Sequence, residues 1–133
     1  MNIGSDGPAK RVLVVDDSSV NLKITAALIR RAGFLTGMAE TAEDALKQIA
    51  VDLPDLIVTD LRLPGMDGLE VARQMRKDNK LKDVLLIALT GYGQDDDRRR
   101  SEEAGFNAHL VKPVDLATLQ ELLTQSPFAA DQS

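Results

Sequence analysis

Residues 12–19 read VLVVDDSS. Four apolar residues run into two adjacent carboxylates and then into two serines. The apolar part fits a short strand buried on both faces. The serines fit a helix start, because a serine hydroxyl can accept an N–H of the first helical turn. Strand, polar turn and helix together make one βα unit. The turn also poses a chemical problem. Asp16 and Asp17 are like charges side by side at the end of a buried strand, where each makes the other harder to bury.

The same unit recurs along the chain. Arg11–Val15 is the first strand, and Ser18 or Ser19 caps a helix with Val20, Ile24, Ala27 and Leu28 on one face, ended by Gly33. Leu35–Ala39 is a weaker strand, interrupted by Gly37, after which Thr41 caps a helix carrying Ala42, Ala45, Leu46 and Ile49. Residues 56–59 form a β-branched strand ending at Asp60, and residues 61–70 (LRLPGMDGLE) read as a loop. A helix with Leu69, Ala72 and Met75 follows, then the most apolar strand at 84–89. Residues 94–104 are a charged helix ended by Gly105, 108–111 are a strand, and Asp115 caps a last helix with Leu116, Leu119, Leu122 and Leu123.

Five βα units in succession imply an α/β fold: a single doubly wound, five-stranded parallel sheet with helices on both faces. Right-handed crossovers leave the flavodoxin-like order 2-1-3-4-5 as the natural choice, with ligands beyond the carboxyl ends of the strands. The folded unit is expected over residues 11–124, between a flexible N-terminal tail or linker at 1–10 and a flexible C-terminal tail at 125–133.

Composition narrows the function. With 133 residues and 44% hydrophobic content, the chain supports one core and no second domain of ordinary size. The absence of cysteine rules out disulfides and thiolate metal sites and fits a cytoplasmic protein. A net charge of −5, with three Phe and one Tyr, argues against nucleic-acid binding. No apolar run approaches the roughly 20 residues of a membrane span, so membrane insertion is not expected.

The strand ends then fall into a pattern. The first strand ends in Asp16 and Asp17, the third in Asp60, the fourth in Thr90 and the fifth in Lys112. In the order 2-1-3-4-5 the first and third strands are neighbours, so three carboxylates converge with a hydroxyl and an ammonium nearby. Such a cluster must take up protons or bind a cation. Oxygen-only donors point to a hard divalent ion, Mg2+ above all. A carboxylate beside such an ion can act as a nucleophile toward phosphorus, and Lys112 and Thr90 are suited to neutralise a phosphoryl group. Asp60, the isolated carboxylate on the central strand, is the acceptor this reasoning selects.

The set VVDDSS, IVTDLRLPGMDGLE, ALTGYG and HLVKPVD resembles the receiver domain of two-component response regulators over residues 11–124, in order and spacing. The resemblance implies that Asp60 accepts a phosphoryl group from a phosphohistidine on a histidine kinase or histidine phosphotransfer domain. It implies Mg2+ ligation by Asp17, Asp60 and the backbone carbonyl of Arg62, with Asp16 acting through water. Lys112 would pair with the phosphate, Thr90 would move toward it, and Pro113 resembles the family's cis-proline. Such a protein promotes its own phosphorylation and acts as a switch rather than turning over a substrate. The family often places Tyr or Phe where this chain has His109, its only histidine, and the residues themselves favour a partly buried strand position for that histidine. Arg62 and Tyr92 would flank the path of a hydrolysing water and, as a bulky pair, would lengthen the phosphoryl lifetime. Receivers also pair through the face built by the fourth helix, fifth strand and fifth helix, so a homodimer is open.

Two other classes compete. Aspartyl-phosphate phosphatases and phosphotransferases of similar fold usually carry an acid two residues after the nucleophile, where this chain has Arg62. A flavodoxin-like binding module would need a Gly- and hydroxyl-rich phosphate loop after the first strand, where VDDSSVN is acidic. A receiver-like docking module that is never phosphorylated is a further alternative. The ALTGYGQ to HLVKPVD stretch is closest in style to receivers of hybrid sensor histidine kinases, so the expectation is either a single-domain regulator or the receiver of such a kinase. The run 95–103 (DDDRRRSEE) reads as a solvated helix face with Asp95/Arg99 and Asp96/Arg100 pairs, and Met66 and Asp67 as turn residues with a possible partner contact.

Overall fold

The structure is a computed structural model that describes residues 10–61, 63, 68–91, 95–112 and 114–123, with backbone alone at 95–98. Its elements are β1 (Arg11–Val15), α1 (Ser19–Arg31), β2 (Leu35–Ala39), α2 (Ala42–Val51), β3 (Leu56–Asp60), α3 (Gly68–Lys77), β4 (Leu85–Thr90), α4 (Asp95–Ala104), β5 (Ala108–Val111) and α5 (Leu116–Leu123). The five strands form one parallel sheet in the order β2-β1-β3-β4-β5. This is the flavodoxin-like doubly wound fold expected from the βα alternation.

The central strands are apolar because both of their faces are covered. Val12 and Val14 of β1, Val58 of β3 and Ile87 and Leu89 of β4 pack with Leu22, Ala26 and Ile29 of α1 and Leu119 and Leu123 of α5. On the opposite face Leu13, Val15, Ile57, Leu86 and Ala88 pack against α2, α3 and Ala104 of α4. At about 25 cal/mol per Å2 of apolar surface, these two layers are the main source of stability, and they fix the register that aligns the strand ends.

The helix termini follow their caps. Ser18, not Ser19, is the N-cap of α1, its hydroxyl accepting the Asn21 N–H at 3.3 Å. Thr41 caps α2 by accepting the Asp44 N–H at 3.0 Å, and Asp115 caps α5 by accepting the Thr118 N–H at 2.7 Å.

Three expectations need correction. The buried stripe of α1 is Leu22, Thr25, Ala26 and Ile29, whereas Val20 and Ile24 stand 65% and 52% exposed and Ala27 also faces solvent. The helix carries two apolar stripes. The one with small Ala26 and Thr25 at its centre lets the helix approach the sheet closely, and it takes the core. The loop expected over 61–70 is shorter, because α3 already begins at Gly68, whose N–H donates to the Leu61 carbonyl at 2.9 Å. The fourth strand sits one residue later than 84–89, so Thr90 lies within β4, beside Val111 of β5.

In α4, Arg99 and Arg100 are exposed while Ser101 and Ala104 are buried, which agrees with a helix solvated on one side. The proposed Asp95/Arg99 and Asp96/Arg100 pairs, and Met66 and Asp67, involve side chains or residues outside those described.

Candidate functional site

Register builds the site. Val15 of β1 pairs with Thr59 of β3, so the residues that follow, Asp16 and Asp60, leave the sheet side by side. The Asp16 N–H donates to the Ala39 carbonyl at 3.1 Å, holding the turn after β1 to the end of β2. Asp60 pairs with Leu89 and Thr90 with Val111, which sets Lys112 just past the end of β5. The Lys112 N–H donates to the Thr90 carbonyl at 2.8 Å, tying the lysine's backbone to the fourth strand.

The side chains converge as the strand ends predict. One carboxylate oxygen from each of Asp16, Asp17 and Asp60 lies within 4.8 Å of the others. The Lys112 ammonium donates to Asp60 Oδ2 at 2.7 Å and stands 3.6 Å from Asp16 Oδ2. Asp16 is fully buried and Asp60 nearly so, while Asp17 is open to solvent. Asp16 Oδ1 accepts the Ser18 N–H at 3.0 Å, but its Oδ2 accepts no hydrogen bond among the described residues. Thr90 is buried at the rim, its hydroxyl 3.5 Å from the Leu110 carbonyl, too long for a strong bond. His109 is half-buried on β5 opposite Ala88, the strand position favoured for it by the residues themselves. Arg62, Tyr92 and Pro113 lie outside the described residues.

The electrostatics follow from this packing. Burial pushes the Asp16 carboxyl above its ordinary value, and the charges of Asp60 and Asp17 add to the rise, against the Ser18 N–H and Lys112. For Lys112, burial acts to lower the value, but the hydrogen bond and charge of Asp60 and the charge of Asp16 outweigh it and the ammonium is held more firmly protonated. A buried carboxylate oxygen without a donor among the described residues, next to two further carboxylates, is a donor set that fits a hard divalent cation.

One contributor escapes a reading by residue chemistry. A Cβ on Gly68 would lie 2.6 Å from the Asp60 carbonyl oxygen and 2.9 Å from Leu61 Cα. The first turn of α3 therefore presses directly on the backbone of Asp60, and only glycine fits there. The available signal was the second glycine of PGMDG, which reads as a mere turn former until the helix start is known.

The comparisons with known proteins agree with this geometry. The chain matches the response regulator receiver domain over residues 12–124, and it belongs to that family. The polar-differentiation response regulator DivK of Brucella anthropi is 31% identical over 114 residues, covering 86% of this chain and 93% of DivK. The receiver domain of a sensor histidine kinase from Pseudomonas aeruginosa, solved with a magnesium ion coordinated in its active site cleft, superposes with a TM-score of 0.79. The two are 31% identical, with 88% of this chain and 96% of that one covered. A Saccharomyces cerevisiae complex of the histidine phosphotransfer protein Ypd1 with the receiver domain of its downstream response regulator Ssk1 gives a TM-score of 0.78. Identity is 29%, with 88% of each chain covered. The protein is thus a receiver domain of two-component signalling.

Proposed function

We propose that this receiver is a phosphoacceptor whose acceptor is Asp60, with a phosphohistidine on a histidine kinase or histidine phosphotransfer domain as the donor. The observation that carries the reading is the convergence of Asp16, Asp17 and Asp60 with Lys112 at the ends of β1, β3 and β5. Asp17, Asp60 and the Arg62 carbonyl would hold Mg2+, with Asp16 acting through water. When bound, that ion supplies charge neutralisation for the carboxylates and for the oxygens of the transferring group.

The chain's own residues supply the rest. A carboxylate oxygen of Asp60 forms the bond to phosphorus as the phosphorus–nitrogen bond breaks, and the electron pair leaves with the imidazole, which takes up a proton. The Lys112 ammonium, already 2.7 Å from Asp60, then pairs with a phosphoryl oxygen. Thr90, buried one strand away with a weak hydroxyl contact among the described residues, can turn toward the new group and signal its presence toward α4.

The donor docks beside the site, where Val20 and Ile24 stand exposed on α1, the helix that follows Asp17 in the chain. Pairing of two copies through the α4–β5–α5 face accords with Val111, 44% exposed on β5. The working unit is residues 11–124. No helix among the described residues is long and apolar enough to cross a membrane, and a cytoplasmic setting is part of the proposal.

The test is intact-mass measurement after incubation with Mg2+ and acetyl phosphate. One phosphoryl group should be gained, dependent on Mg2+ and lost in Asp60→Asn. A folded protein that binds no Mg2+ and gains no mass would instead be a docking module.

A further inference from the structure

Arg76, near the end of α3, carries no role in the phosphoryl chemistry, yet its guanidinium is densely hydrogen-bonded. All five of its N–H donors are used. Nε and Nη2 both donate to the Gly105 carbonyl, at 3.0 and 2.7 Å. Nη1 donates to the carbonyls of Lys82 and Val84, at 2.8 and 2.7 Å. Nη2 also donates to Asn107 Oδ1 at 2.9 Å. Every acceptor is neutral, so this is not an ion pair. It is a planar fork that joins three backbone segments at fixed angles: the end of α3, the turn before β4 and the turn between α4 and β5.

The far side of the fork is equally fixed. Asn107 Oδ1 accepts the Leu86 N–H at 2.7 Å, and the Asn107 N–H donates to the Leu86 carbonyl at 2.8 Å, so Asn107 is stitched to the sheet. The Phe106 N–H donates to the Ser101 carbonyl, and Phe106 and Ala104 are buried with Met75 of α3. Gly105 has φ +107, and a Cβ there would lie 2.8 Å from Arg76 Cγ, so the turn and the arginine stem are fitted to each other. Burial lowers the guanidinium's tendency to stay charged, and the charge of Asp83 opposes that.

The two ends of α4 are therefore held differently. Its C-terminal end is bound to α3, to the turn before β4 and to the sheet. Its N-terminal end begins at Asp95, five residues after Thr90, the strand-end residue of the site. We infer that Arg76 is a clamp that fixes the C-terminal end of α4, so that a rearrangement starting at Thr90 swings the helix about Gly105 instead of sliding it. The swing rests on the proposed phosphoacceptor role; the clamp does not.

Residue-resolved hydrogen exchange on the full chain tests the clamp without phosphoryl chemistry. In the wild type, the amides of Phe106 and Asn107 should exchange as slowly as those of β1. In Arg76→Met they should exchange roughly tenfold faster or more, while Val14 and Val58 change far less. Arg76→Lys keeps the charge and loses the fork, so it should give the same selective pattern should the Met variant not fold. An equal change at all amides, or none at 105–107, would overturn the clamp. A second arm adds Mg2+ and beryllofluoride, a phosphoryl mimic, to the wild type and follows amide chemical shifts. Shifts at Thr90, Gly91 and the first turn of α4, with 105–107 still, are the expected result, and shifts of equal size at both ends would overturn the swing. No shift even at Asp60 would defeat the phosphoacceptor reading instead, and the exchange data would still decide the clamp.

Discussion

The burial of Asp16 makes a quantitative prediction: Asp16→Asn should be more stable than the wild type when no divalent ion is present. Taking an effective dielectric constant of about 20, the Asp16 charge gains about 4–5 kcal/mol from Lys112 at 3.6 Å. Within 4.8 Å it loses at least about 3 kcal/mol to Asp60, and a solvent-weakened share more to Asp17. The charge terms nearly cancel, which leaves the desolvation of Oδ2, a fully buried oxygen with no donor among the described residues, to decide the sign. An unsatisfied buried group costs about 1–3 kcal/mol. Asparagine keeps an oxygen for the Ser18 N–H and turns an NH2 donor toward the Asp60 carboxylate. The expected net gain is about 1–2 kcal/mol, or about 4–10 °C in Tm for a domain of this size.

The assay is thermal and urea unfolding in EDTA across pH. The folded Asp16 carboxyl sits above its ordinary value of 3.8. Between 3.8 and the raised folded value, the folded state holds a proton that the unfolded state has lost. Wild-type stability therefore falls as pH rises through that window. The advantage of the Asn variant should be small below pH 3.8, grow across the window and level off above it. Saturating Mg2+ should then reverse the order, since a ligand at about 100 times its Kd adds about 2.7 kcal/mol to the form that binds it. A variant no more stable than the wild type at neutral pH in EDTA, or an advantage that does not shrink in acid, would refute the reasoning.

Other perturbations separate scaffold from site. Gly68→Ala should lower stability by about 1–3 kcal/mol and weaken Mg2+ binding, because its Cβ would strike the Asp60 carbonyl; calorimetric titration reads the second effect. Gly37→Ala, whose Cβ would meet its nearest neighbour at 3.4 Å, serves as the control and should leave Mg2+ binding unchanged. Thr41→Ala removes the N-cap of α2 and should cost about 1 kcal/mol in denaturant titrations, with Mg2+ affinity unaltered. Val20→Asp with Ile24→Asp should change stability by about 0.5 kcal/mol or less and leave phosphorylation by acetyl phosphate intact. The same pair should slow transfer from a phosphohistidine protein, as read by the rate of phosphoryl loss from the donor.

The sheet order and the placing of Asp16, Asp17, Asp60, Thr90 and Lys112 were legible because both rest on robust signals. Apolar runs of strand length mark the β1, β3 and β4 segments, and each polar residue ending a strand lands on the same edge of a parallel sheet. The face of α1 was not legible. Leu22, Ala26 and Ile29 and the pair Val20 and Ile24 form two apolar stripes, and it is packing against the sheet that distinguishes them. The role of Gly68 was hidden for a related reason. It depends on a through-space contact with a backbone oxygen eight positions earlier in the chain. Arg76 is the extreme case. Its partners at 82, 84, 105 and 107 meet only after α3, β4 and β5 have packed, and an arginine at the end of a helix otherwise reads as a surface charge.

The residues found most easily in the sequence are also those that the fold accommodates least comfortably. Val12 to Val15 stabilise the sheet wherever they are buried, but the same strand delivers Asp16 into a site where one of its oxygens finds no donor among the described residues. β1 and β3 are adjacent because a right-handed crossover places them so, and that adjacency is what crowds Asp16 against Asp60. Lys112 relieves part of the repulsion from β5, yet it has a 2.7 Å partner in Asp60 and only a 3.6 Å approach to Asp16. Among the described residues the site therefore sets three carboxylates against one ammonium. An event that brings positive charge to the carboxylates, or that ties Lys112 to a new anion, changes the balance at the ends of β3, β4 and β5 together. With Arg76 holding the C-terminal end of α4, the inferred clamp directs that change to the N-terminal end of the helix, which begins five residues after Thr90.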